Sequence, residues 1–155
     1  MIFSIIITSL LVALDQYSKY LATNYLMGNS PVVVIPGVLG LRYVENTGAA
    51  FSMLSNSTDF LIVVTAIAML VMAYVFWYKN YGDSFEKLCF TLIIAGGIGN
   101  LIDRVLNGFV VDYFEFLFMK FAVFNVADVY VCTGIALYAL YTFYVEFYKK
   151  RGNNG

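Results

Sequence analysis

The sequence predicts an all-α membrane protein: four transmembrane helices with a small extracytoplasmic β-sheet. Three observations predict it. Of 155 residues, 61% are hydrophobic and 12% charged, against about 45–50% and about 25% in an ordinary soluble domain. A chain this short cannot hide so much apolar surface in one water-soluble core. The runs free of Asp, Glu, Lys and Arg are 1–14, 60–78, 88–102 and 129–145, and a spanning helix needs about 20 mostly apolar residues. Between the first two runs lies a β-branched segment, a Pro-Gly turn and an alternating segment.

The same composition excludes several functions. Nine basic residues against ten acidic ones give a net charge of −1, so a nucleic-acid partner is not expected. There is no histidine, which removes Ser-His-Asp and Cys-His catalysis and the HExxH zinc site. No metal-ligand cluster or phosphate-cradling loop is visible, so no cofactor is expected.

Taken in order, the helices are expected at 2–25, 59–78, 86–106 and 125–147. Only the second is long enough without help; the others reach spanning length by taking in Asp15 and Lys19, Asp103 and Arg104, and Asp128. The first is not a cleavable signal peptide, because it lacks a basic start and runs into Asp15-Gln16-Tyr17-Ser18-Lys19 instead of a small-residue cleavage site. Cys89 and Cys132 fall within helices without CxxC spacing and read as small packing residues.

The loop 27–57 carries Val32 to Ile35, the turn Pro36-Gly37, and then Val38 to Glu45. In the last segment Leu39, Leu41 and Tyr43 share one face, and Gly40, Arg42 and Val44 the other. A small antiparallel sheet follows. Residues Asn46 to Phe51 suggest a turn into a short helix, and the Phe-rich loop 107–123 reads as interfacial. Lys79, Lys87, Lys149, Lys150 and Arg151 share one side, whereas the two long loops hold only Arg42 and Lys120. By the positive-inside rule both termini are cytoplasmic and the long loops outside. Aromatic residues near the boundaries (Trp77, Tyr78, Tyr81; Phe143, Tyr144, Phe147, Tyr148) fit an interfacial belt.

Charge inside a bilayer costs at least ~2.5–3.5 kcal/mol per residue, so intramembrane ionisable groups point to function. Asp15 and Lys19 are four apart and stack on one helix face. They make either a structural ion pair or a lysine reaching for a substrate carbonyl or anion. Gly96, Asn100, Asp103 and Arg104 share a stripe on the third helix, where glycine permits close helix approach. Asp112 follows an apolar run, and Asn125 and Asp128 share a face at the start of the fourth helix. An acid there is also a favourable partner of the helix dipole.

Paired carboxylates are the strongest catalytic set in this inventory. Two close Asp side chains cannot both ionise easily; one keeps a proton while the other takes a proton from water. Asn46, Asn100, Asn125 and Arg104 are available as donors to a peptide substrate. Composition leaves Asp15, Asp103, Asp112 and Asp128 all open as members of the pair.

Five motifs, in order along nearly the whole chain, closely resemble the bacterial lipoprotein signal peptidases (signal peptidase II). They are Asp15-Gln16-x-Ser18-Lys19, Asn46-x-Gly48-x-Ala50-Phe51, Gly96-Gly97-x-Gly99-Asn100-x-x-Asp103-Arg104, Val110-Val111-Asp112 and Phe124-Asn125-x-Ala127-Asp128. The resemblance implies an aspartyl endopeptidase of the bacterial inner membrane. It would cut prolipoproteins on the amino side of a diacylglyceryl-modified cysteine. It implies Asp112 and Asp128 as the catalytic pair, with Asn46, Asn100, Arg104 and Asn125 binding substrate or organising the site, and Asp15, Lys19 and Asp103 supporting it. The partners implied are lipidated prolipoprotein and membrane lipid, with one peptidase domain over 1–155 and no need for more than a monomer. Two rivals are weaker. A GxGD protease lacks its acid, because Gly97-Ile98-Gly99 ends in Asn100. A small transporter or scaffold would use the buried charges for ion coupling or assembly.

Overall fold

The computed structural model describes residues 2–48 and 58–152, with side chains to residue 147. Four helices are long and apolar enough to cross a membrane. They are α1 (Ile2–Leu26), α2 (Thr58–Met72, continued by a π-helical turn Ala73–Tyr78), α3 (Ser84–Asn107) and α4 (Val126–Gly152). The expected boundaries of the first three helices hold to within two residues, whereas α4 runs five residues past its expected end. The π-helical turn that ends α2 has no counterpart in the sequence reading.

The start of α3, two residues earlier than expected, has a local cause. Asp83 accepts hydrogen bonds from Phe85 N and Glu86 N, while Glu86 Oε2 accepts from Asp83 N. This reciprocal capping box satisfies donors that the first turn leaves free. Tyr141 of α4 also donates to Asp83, tying the two helix ends together. At its other end α3 stops at Gly108, whose φ of +82° suits a residue without a Cβ. The chain then reverses into β3 (Val110–Phe116).

α3 is the central helix. Its buried residues run Cys89, Thr91, Ile94, Ala95, Gly96, Gly97, Gly99, Asp103, whereas α2 buries none. Small residues let neighbours approach closely: a Cβ on Gly99 would lie 2.5 Å from Asp15 Oδ2 of α1. Outward faces are apolar, with Leu10, Phe60, Leu70, Leu140 and Phe143 all exposed, while Asp15, Lys19, Asp103, Asp112 and Asn125 are buried. That inversion of the soluble pattern suits a surface solvated by lipid. Cys89 is buried as expected, but Cys132 is exposed, on the outer face of α4, and does not pack inside.

β1 (Val32–Ile35) and β2 (Leu39–Asn46) form the expected hairpin around Pro36-Gly37. The loop read as merely interfacial contributes a third strand: β3 pairs antiparallel with β2, giving the order β1-β2-β3. A register shift between Leu41 and Val44 interrupts the simple alternation expected of β2. The sheet is seated on α1 by Val111 and Tyr113, packed with Ala22 and Leu26 and flanked by Leu41 and Tyr43. The second half of the turn expected from Asn46 to Phe51 lies outside the described residues. So do Ala50 and Phe51 of its motif.

Candidate active site

Two polar clusters meet at Asn100. The first is built on α1 and α3. Lys19 Nζ lies 3.0 Å from Asp15 Oδ2, 3.0 Å from Asp103 Oδ2 and 2.9 Å from Asn100 Oδ1. An ammonium has three hydrogens, and these acceptors take all three. The lysine is therefore committed inside the protein, as the structural reading of the Asp15–Lys19 pair expects. Gln16 Nε2 donates to Asp103 Oδ1 and to the Gly99 carbonyl. Both acids also brace other elements: Asp15 Oδ1 accepts from Ala127 N of α4 at 2.9 Å, and Asp103 Oδ2, besides meeting Lys19, accepts from Val111 N of β3 at 3.1 Å.

The second cluster joins β2, β3, α3 and the start of α4. Asp112 Oδ2 accepts from Asn46 Nδ2 at 2.9 Å and Asp112 Oδ1 from Asn125 Nδ2 at 2.7 Å. Asp128 Oδ1 accepts from Asn100 Nδ2 at 2.8 Å. Asn125 Nδ2 also reaches Asn100 Oδ1 at 3.0 Å, so two amides bridge the acids in the order Asp112, Asn125, Asn100, Asp128. Asn125 is in addition the N-cap of α4. Its Oδ1 accepts from Asp128 N, and Asp128 Oδ2 accepts from Asn125 N. The acid thus has the first-turn helix position expected of it, and its second oxygen faces Asn100.

Amide orientation follows from this network. Lys19 can only donate, so it holds the oxygen of Asn100 toward itself and leaves the NH2 group for Asp128. Asp112 is fully buried, Asp128 half-buried. Burial pushes the Asp112 carboxyl from its ordinary 3.8 up to about 6; the Asn46 hydrogen bond opposes the rise, the charge of Asp128 adds to it, and Asn125 opposes it again. The Asp112 carboxyl thus keeps its proton up to about pH 6, with the Asp128 carboxyl beside it.

All nine residues singled out in the sequence belong to these clusters or their border. Arg104, read as a donor to substrate or a site-organising residue, donates from Nη2 to the Gly48 carbonyl at 2.8 Å. Its Nε is buried without a partner among the described residues. Two participants were missed: Gln16, bound to Asp103, and Ser18, which accepts from Tyr113 OH at 2.6 Å and donates to the Asp15 carbonyl. Both fall in the Asp15–Lys19 motif, and their helix spacing was the available signal.

Fold and site together define a multi-pass membrane protein with two amide-bridged carboxylates where its sheet meets its bundle. Comparison with known proteins gives the family. Residues 7–144 match the family described as signal peptidase (SPase) II. A lipoprotein signal peptidase of Caldanaerobacter subterraneus subsp. tengcongensis is 46% identical over 84% of this chain and 89% of its own. That of Enterococcus faecalis is 40% identical over 97% and 93%. A bacterial membrane enzyme solved by the in meso method at 2.3 Å superposes with a TM-score of 0.82 and 32% identity, covering all of this chain and 93% of its own. The chain belongs to the signal peptidase II family.

Proposed function

We propose that Asp112 and Asp128 are the catalytic pair with which this signal peptidase II removes the signal peptide from prolipoproteins. The observation that carries this reading is the bridge between them, Asp112 to Asn125 to Asn100 to Asp128. Asp112, buried and with its carboxyl raised to about 6, holds the shared proton and donates it to the scissile carbonyl. Asp128 takes a proton from the attacking water. When the tetrahedral intermediate collapses, the leaving amine of the lipid-modified cysteine is protonated from the pair. Arg104, whose Nε is buried without a partner among the described residues, supplies a donor to the substrate main chain.

The cut is on the amino side of the diacylglyceryl cysteine, with the lipid tails remaining in the bilayer. The sheet, with both acids, lies at the extracytoplasmic face of the inner membrane, and both termini are cytoplasmic. Lys79 and Lys87, at the opposite end of the bundle from Arg42 and Lys120, support that orientation. Residues 1–155 form one peptidase domain and work as a monomer, because both acids and all their partners come from one chain. The experiment is cleavage of a lipidated prolipoprotein in detergent by Asp112→Asn and Asp128→Asn. Each folds and loses turnover; near-normal turnover in either removes that residue from the pair.

A further inference from the structure

A cleft leads outward from Asp112. A cavity of about 220 Å³ adjoins Asn46 and Asp112 and is walled by Arg42, Val44 and Phe121. It shares Arg42 and Phe121 with a second, more open cavity of about 600 Å³ that runs between Glu115 and the 116–121 segment. Val44 is the cross-strand partner of Asp112, so the first cavity sits beside the acid's own rung of the sheet. From Asn46 to Arg42 is four residues of strand, or about 13 Å at ~3.3 Å per residue.

We propose that these joined cavities bind the polypeptide on the carboxyl side of the scissile bond, the three or four residues that follow the lipid-modified cysteine. The proposal rests on the reading of Asp112 and Asp128 as the catalytic pair. A scissile peptide has two ends. The signal peptide is apolar and stays with the bundle, so the other end must leave Asp112 by a route that can serve a polar main chain. The cleft has that chemistry. Its rim carries the ion pair Arg42–Glu115 at 3.0 Å, with Arg42 about half exposed, together with Lys120. Those groups can answer main-chain carbonyls and amides, while Phe116, Leu117 and Phe121 offer side chains an apolar floor. A diacylglyceryl tail fits the same place badly, because it would desolvate the rim charges without pairing them.

The test uses the full chain in detergent and two diacylglyceryl-modified peptides identical through the cysteine. One ends, amidated, at the next residue; the other continues for eight residues. Wild type cleaves the longer with kcat/KM about tenfold higher, because binding remote from the reacting atoms is spent on the transition state. Arg42→Trp narrows the junction of the two cavities, and the advantage of the longer peptide collapses to near unity. Arg42→Ala, a milder change, reduces it in part. Each ratio is taken within one variant, so a general loss of folding or chemistry cancels. Equal cleavage of both peptides by wild type overturns the proposal. So does an undiminished advantage in both variants, the result expected if lipid fills the cleft. Failure of the catalytic reading shows separately, as turnover surviving in Asp112→Asn.

Discussion

Asp15 and Asp103 on one side, and Asp112 and Asp128 on the other, are two pairs of acids that share Asn100 as a neighbour, yet they are held in opposite ways. The first pair closes on a cation: Lys19 bonds both carboxylates and has no hydrogen left. The second pair is held by amides, which fix the position of a carboxylate without neutralising it. The first pair also ties elements together, through Ala127 N and Val111 N, whereas Asp112 lines an open cleft. A charge paired directly with an ammonium is a brace, and a pair held by amides at a cleft is available for proton transfer.

The widest separation between the pairs is in rate. On the proposed mechanism Asp112→Asn or Asp128→Asn removes a general acid or base, a loss of roughly 10²–10⁴-fold in turnover, with the protein still folded in detergent. The opposite split is expected of Lys19→Met. It leaves Asp15 and Asp103 buried side by side without a cation, and breaking a buried ion pair costs about 3–5 kcal/mol. A clear fall in melting temperature is the readout. Unchanged stability in Lys19→Met would erase the distinction between brace and catalyst.

A third prediction turns on pH. Folding raises the Asp112 carboxyl from 3.8 to about 6, so between those values the folded chain binds more protons than the unfolded one. Stability therefore falls as pH rises from about 4 to about 6, by up to roughly 3 kcal/mol at ~1.36 kcal/mol per unit. Asp112→Asn lacks this dependence. Melting curves of the two proteins across that range should diverge in favour of the variant as pH rises, then run parallel above it. Parallel curves throughout would place Asp112 in a more solvated setting.

How much of this was legible in the sequence depended on the range of the interaction. Helices, the β1–β2 hairpin and the Asp15–Lys19 pair follow from local spacing and turn chemistry, and all appear. β3 was missed because the phenylalanines of 107–123 drew the reading toward an interface, although Val110-Val111-Asp112-Tyr113-Phe114 has the β-branched and aromatic content of a strand. Which acids pair was beyond spacing altogether. Asn125 and Asn100 are 25 residues apart, and Asn46 and Asp112 are 66 apart. Only the resemblance selected Asp112 and Asp128, and their proposed role rests on the amide bridge between them. The Arg104 partner was equally hidden, since a backbone carbonyl leaves no mark in the sequence.

The smallest effect probes whether burial, and not the mere presence of opposite charges, makes the Lys19 cluster a brace. Arg42 and Glu115 also lie 3.0 Å apart, but their side chains are 47% and 26% exposed, against 4% or less for Lys19 and Asp15. Water and salt screen the outer pair, and holding two long side chains together costs rotamer freedom. A double-mutant cycle on Arg42→Ala and Glu115→Ala should give a coupling of about 0.2–1 kcal/mol in melting experiments, shrinking as salt is added. The inner pair should be far less sensitive to salt. If the two couplings proved equal and equally screened, the interior would be wetter than its geometry indicates. Lys19 would then be held no more firmly than a surface lysine, and the orientation it imposes on Asn100 would lose its physical basis.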